Sequence, residues 1–299
     1  MINILIHIII LLTLPPLLLG VIGKTKALFA GRVGAPFLQP YHDIIRLLQK
    51  GSVFSTTTTW VFRAGPVVGL ATALLAGMLV PFGNHAAPMS FSGDLILFAY
   101  LFALGRFFTA SAALDTGSAF EGMGSAREVT FSCLAEPALF FGFLVLAKIT
   151  SSLTLTTMLG SIPHGAAGAS LVLVAASLFI VLLAENCRIP FDDPTTHLEL
   201  TMIHEVMVLD HSGPAFGMIL YSAAMKLFVM GAVLLRIVLP FNSGNTFLDW
   251  GIFVAGILAL AVLIGVVESV LARFRLIAIP AFLVAACLLS AFGVVLLLR

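Results

Sequence analysis

A chain of 299 residues with 60% hydrophobic and only 10% charged side chains, and a mean hydropathy of +1.14, cannot make a water-soluble surface, because soluble domains carry roughly a quarter charged residues. A net charge of +1 without a long basic cluster argues against a nucleic-acid partner. Cys133, Cys187 and Cys287 are too widely scattered for an iron–sulfur or zinc motif, so no cofactor or metal is expected in this chain.

Apolar runs recur from end to end, which predicts an all-α membrane protein, one transmembrane domain over 1–299. A spanning helix takes roughly 20 mostly apolar residues. The first run, about 2–22, lacks a basic leader region and a small-residue cleavage site, so it reads as a retained helix. In the polar connection that follows, Pro40 opens a helix reaching about Lys50, with Tyr41, Ile44, Ile45 and Leu48 on one face. His42, Asp43, Arg46 and Gln49 lie elsewhere, the pattern of an amphipathic helix at the membrane surface. Runs at about 62–83 and 94–115 come next. Gly117, Gly122 and Gly124 then predict a flexible tight connection in which Asp115, Glu121, Arg127 and Glu128 cluster.

Further spans are expected at about 127–149 and 168–187. Asp193 and Pro194 read as the cap and first residue of a second surface helix running towards Asp210, with Leu198, Met202, Val206 and Leu209 as its apolar stripe. Runs at about 214–240, 248–271 and 276–298 complete eight spans. Trp60 and Trp250, near helix ends, suit the aromatic belt. Lys24, Lys26, Arg32, Arg46, Lys50, Arg63, Arg127, Arg188, Arg273 and Arg275 fall in or beside the odd-numbered connections, whereas only Lys148, Arg236 and Arg299 lie near the opposite face. Positive loop residues stay cytoplasmic. Both termini are then extracytoplasmic, and the two long loops face the cytoplasm.

Ionisable groups at membrane depth cost about 3 kcal/mol each on insertion scales and mark functional paths by default. Arg106, Glu136 and Lys226 lie within spans, while Asp115, Glu185 and Glu268 lie near cytoplasmic ends. Together with Glu199 and Glu205 of the acidic loop, Asp115, Glu136 and Glu185 are expected to form an acidic route towards Arg106 and Lys226. Fixed structural ion pairs are the alternative. His197, His204 and His211 recur every seven residues, near one face of a helix. Two turns separate neighbours by roughly 10 Å, too far for one ion, so proton buffering or partner contact is the expected role.

The segment Ala30-Gly-Arg-Val-Gly-Ala-Pro-Phe-Leu-Gln-Pro-Tyr-His-Asp-Ile-Ile-Arg-Leu-Leu-Gln-Lys50 resembles the first cytoplasmic loop of the H-type membrane subunit of respiratory complex I. Ala184-Glu-Asn-Cys-Arg-Ile-Pro-Phe-Asp192, with Glu199-Leu200 and His211-Ser-Gly213, resembles that family's third cytoplasmic loop. Within the superfamily, Leu114-Asp-Thr-Gly-Ser-Ala-Phe120, Gly124-Ser-Ala-Arg-Glu128 and Glu136-Pro137 look like the membrane-anchor subunits of group 4 energy-converting nickel–iron hydrogenases, of the formate hydrogenlyase and hydrogenase-4 type.

That resemblance implies a non-catalytic subunit that docks a peripheral redox arm and couples its electron transfer to proton or sodium movement. It implies partners too: hydrogenase-like large and small subunits with iron–sulfur clusters and a nickel–iron centre, and antiporter-like membrane subunits. Arg32, Gln39, Asp43, Arg127, Arg188 and Asp192 are the expected docking residues, with Arg32 and Asp192 able to pair with each other or with the arm. A quinone-binding subunit of a true complex I is the alternative. Against it, Asp193-Pro-Thr-Thr-His-Leu-Glu199 replaces that subunit's closely spaced acids, and the first loop lacks a second Arg-containing repeat. A free-standing transporter is disfavoured by the lack of an internal repeat.

Overall fold

In hydrocarbon no water satisfies a peptide group, so each apolar run must close its own hydrogen bonds as a helix. The computed structural model describes residues 2–160, 168–192 and 202–298, and every predicted run within them is helical. In chain order the helices are α1 (Ile2–Phe29), α2 (Gln39–Leu48), α3 (Trp60–Leu79), α4 (Asp94–Asp115), α5 (Ala119–Thr150), α6 (Leu155–Gly160), α7 (Gly168–Glu185), α8 (Gly213–Val238), α9 (Thr246–Val270) and α10 (Ala278–Leu298). Eight of them, all but α2 and α6, are long and apolar enough to cross a membrane. This is a multi-pass membrane protein.

α8 is the most enclosed span, buried along nearly all of its second half. α1, α3, α7 and α9 pack around it, and α10 closes against α5 and α7. Small residues let helices approach closely, as lipid-embedded packing requires. A Cβ on Gly105 of α4 would lie 2.7 Å from Thr72 Oγ1 of α3, and one on Gly65 would touch Ala112 Cβ at 3.0 Å.

α1 contains Pro15 and Pro16. Pro16 has no N–H to offer Leu12 O one turn back. The Tyr221 hydroxyl of α8 donates to that carbonyl instead, at 2.6 Å, and the Tyr41 hydroxyl of α2 donates to Thr13 O. α2 is therefore the expected surface helix, docked as well as amphipathic: Ile44 is buried while Ile45 and Leu48 stay exposed.

Two sequence expectations fail. Gly122 and Gly124 do not form a flexible connection but lie inside α5; only Thr116, Gly117 and Ser118 join α4 to α5. Gly124 is small because the chain segment beyond α7 presses on it, so that a Cβ there would meet Val206 Cγ1 at 2.3 Å and Ile203 O at 2.9 Å. The second surface helix is also corrected in its described part. Asp193, Pro194, Leu198 and His197 lie outside the described residues, but 202–204 is irregular and only Glu205–Val208 forms a 3-10 turn. Met202 and Val206 of the expected stripe are buried, as are Ile203, Met207 and Val208, whereas Leu209 is exposed. Tertiary bonds hold this backbone: Arg127 donates to Met202 O at 3.0 Å, and Asp192 and Glu121 accept from Ile203 N and Asp210 N.

Candidate functional site: a charged network between two cavities

α7 ends at Glu185, and its carboxylate meets residues well inside other spans. Arg106 stands roughly 13 Å along α4 from Asp115, and Lys226 roughly 20 Å along α8 from Gly213, at 1.5 Å per residue. Arg106 donates to both Glu185 oxygens at 2.9 and 2.8 Å and to Glu136 Oε1 at 2.6 Å, while Lys226 Nζ donates to Glu185 Oε2 at 2.8 Å. Two cations thus face two carboxylates, which is the pairing that charges at this depth require. Irregular backbone enters the bundle directly after Glu185, a course tolerated where protein or a water-filled cavity surrounds it.

Two cavities meet at this network. One of about 90 Å³ is lined by Arg106, Glu128, Glu185, Cys187, His204 and Lys226, together with apolar and small residues of α3, α4 and α8. At about 10–15 Å³ per water it has room for on the order of six waters. A second, of about 40 Å³, is lined by Tyr100, Arg106, Glu136, Glu185 and Met230. Phe102, Arg106 and Glu185 line both, so the ion pair and the Phe102 ring stand together between them. Arg106 Nε is buried without a hydrogen-bond partner among the described residues, a donor held in reserve.

The sequence profile of the family described as NADH dehydrogenase matches residues 2–299. The chain belongs to the NADH dehydrogenase family. It is 32% identical over 280 residues to formate hydrogenlyase subunit 4 of Escherichia coli K12, covering 91% of this chain and 90% of that one. Identity to the H-type subunit of the NADH-quinone oxidoreductase of Syntrophotalea carbinolica is 28% over 230 residues, covering 72% of this chain and 68% of that protein. The fold is shared with a chain of an archaeal respiratory membrane complex, the membrane-bound sulfane sulfur reductase, at a TM-score of 0.86 and 22% identity over 99% of this chain and 98% of that chain. The expected likeness, to the H-type superfamily on its hydrogenase side, is borne out.

In this family member the structure gathers Arg106, Glu136, Glu185 and Lys226 of the expected route. Asp115 instead accepts from Thr59 N and Thr59 Oγ1 at 2.6 and 2.9 Å, tying the two loop-side helix ends together. Glu205 opens the 3-10 turn, and Glu199 lies outside the described residues. Glu128, Cys187 and His204, not expected as a group, line the larger cavity. They stand far apart in the chain, so no spacing signal could have joined them.

The docking residues separate into two kinds. Arg32 is exposed on the first loop beside exposed Val33, Phe37 and Leu38, and Gln39 donates to Asp43 at 2.8 Å. Asp192 corrects the expectation: it is buried and pairs with Arg273 at 2.6 Å, not with Arg32. Arg188 likewise turns inward to Glu268 at 3.4 Å, where Lys26 also binds, and Arg127 anchors the loop backbone. The first and third loops do join. Val53 N donates to Ser212 Oγ at 3.0 Å, and Gly213, at φ +55°, sits so close to Gly51 O that a Cβ there would lie 2.5 Å away.

His204 and His211 do not share an α-helical face, because 202–212 is not an α-helix, and His197 lies outside the described residues. His204 faces the cavity, and His211 stacks on Phe62 with centroids 3.9 Å apart. Burial lowers the pKa of both, that of His211 to about 4, so His211 does not buffer near neutrality. Since the folded form disfavours the His211 proton, its contribution to stability is complete above about pH 6.5 and is lost as pH falls towards 4. The loss amounts to about 3 kcal/mol for a shift of that size. Thermal midpoints across that window are expected to fall more steeply in the natural protein than in His211→Phe, which keeps the stack on Phe62 and cannot titrate. Parallel pH profiles would contradict this.

Proposed function

We propose that this protein is a non-catalytic membrane subunit of a hydrogenase-type, complex I-like redox complex, which docks the peripheral arm and couples its electron transfer to proton or sodium translocation. The observation that carries this reading is the Arg106–Glu185 ion pair, which stands with Phe102 between two neighbouring cavities. Glu185 is shared by Arg106 and Lys226. A charge change on the arm, felt through the interlocked loops, shifts the carboxylate between its two cations and opens one cavity to the other. Closely balanced pairs are what such a shift needs, since a coupled equilibrium moves only by a difference between two states.

Glu136 continues the path outward. Its side chain is 42% exposed although it lies on a span, and a carboxylate is not left facing lipid. A neighbouring antiporter-like membrane subunit covers it in this reading and receives the ion there. The exposed apolar first loop around Arg32 receives the arm, whose hydrogenase-like large and small subunits hold the iron–sulfur clusters and a nickel–iron centre. The higher identity to a formate hydrogenlyase subunit than to a quinone oxidoreductase subunit supports this branch. The distribution of Lys and Arg supports termini on the extracytoplasmic side.

Glu136→Gln tests the reading in the assembled complex, because it keeps shape and one hydrogen bond to Arg106 but removes the exchangeable charge. Assembly and electron transfer are expected to persist while ions moved per electron in liposomes fall at least several-fold. Unchanged pumping by the intact variant would remove Glu136 from the path. A quinone analogue displacing electron transfer from the native complex would instead favour the complex I alternative.

A further inference from the structure

Glu128 of α5, Cys187 of the turn after α7 and His204 before the 3-10 turn bring a carboxylate oxygen, a thiol sulfur and a ring nitrogen within 4.8 Å of one another. We propose that these three side chains form a binding site for a borderline-soft divalent cation of the zinc class, which fastens the Cys187 turn and His204 to α5.

The donor set selects the metal. Thiolate and imidazole suit zinc and disfavour magnesium and calcium, which take oxygen ligands. In a tetrahedral zinc site the ligand atoms lie about 3.3–3.6 Å apart, given bonds of 2.0 to 2.3 Å. Cys187 Sγ and Glu128 Oε2 are already 3.8 Å apart, so closing the set takes shifts of about 1 Å or less. The larger cavity borders all three residues and leaves the fourth position open to water, the arrangement of three-ligand zinc sites.

Charge fits as well. Arg106 and Lys226 pair directly with Glu136 and Glu185, Glu128 acts on Arg106 only through space, and Asp192 has Arg273. Among the described residues Glu128 accepts one hydrogen bond, from the Cys187 thiol. Binding releases that thiol proton to solvent, and the resulting thiolate with the Glu128 carboxylate makes two negative charges against two positive ones.

Backbone geometry adds a separate indication. The turn after α7 is a Schellman motif: Arg188 N donates to Leu183 O at 2.8 Å and Cys187 N to Ala184 O at 3.1 Å. The residue in the left-handed position of that motif is usually glycine, yet Cys187 occupies it at φ +49°. A side chain is kept where its absence would be less strained.

The test uses the purified complex, stripped with a chelator and refilled with zinc alone. Zinc-edge X-ray absorption is expected to show a sulfur at about 2.3 Å, and metal analysis one zinc more per complex than in Cys187→Gly. Glycine suits the turn, so that variant is expected to assemble. Glu128→Gln, which is nearly isosteric, is expected to bind at least tenfold more weakly. A zinc environment free of sulfur, equal zinc content in Cys187→Gly, or unchanged affinity in Glu128→Gln would each overturn the site.

Discussion

Replacing Glu185 with alanine is expected to abolish assembly of the protein into its complex. Its carboxylate accepts from Arg106 and Lys226 and is itself buried. Arg106 keeps Glu136 after the change, but Lys226 loses the only ion pair it makes among the described residues. Removing one partner of a buried pair costs about 3–5 kcal/mol because the other charge is stranded. That corresponds to two or more powers of ten in the folded fraction. Adding Lys226→Met removes the stranded charge at similar volume and is expected to recover most of the loss. The measurement is retention of the detergent-solubilised complex after heating, for the two single variants and the double. If Glu185→Ala assembled and withstood heating like the natural protein, the network would be dispensable for stability.

Asp192→Lys is expected to detach the proposed peripheral arm, but through the fold rather than through a lost surface contact. Asp192 is buried, pairs with Arg273 beyond α9 and accepts from Ile203 N. Phe274 N also donates to Pro190 O at 2.9 Å, so the connection between α9 and α10 is bonded directly to the third loop. Two cations in that site repel, and the Ile203 N–H is left unsatisfied. A cost of about 3–5 kcal/mol follows for the broken pair. Exchanging the charges in Asp192→Lys/Arg273→Asp restores attraction without restoring the acceptor, so rescue is expected to be partial. Co-purification of the arm with each variant distinguishes the cases. A natural yield of arm with Asp192→Lys would show that neither the pair nor the loop position matters to docking.

The spans were legible because their signal is plain hydropathy, and α4 matches its expected bounds at Asp94 and Asp115. Elsewhere local signals misled for identifiable reasons. Glycine marks turns in general, but Gly124 is demanded by a neighbour's approach rather than by its own backbone. The apolar spacing of Met202 and Val206 suggested a helix, yet backbone bonds to Arg127, Asp192 and Glu121 compete with helical ones and win. Charges within spans at Arg106, Glu136 and Lys226 could be picked out singly because each is anomalous in an apolar run. That Glu185 is their common partner could not, since it stands at a helix end where a solvated carboxylate would look the same. Glu128 and Cys187 are 59 positions apart, and only the fold brings them together.

The proline pair of α1 bears on the order in which the molecule can be built. Leu12 O receives its proton donor from Tyr221, 209 positions later in the chain. When the ribosome has delivered α1 to the bilayer, α8 does not yet exist, and the carbonyl bared by Pro16 has no donor in hydrocarbon. The bond that completes α1 at Leu12 can therefore form only after α8 has been threaded in. The first helix made is among the last to be finished.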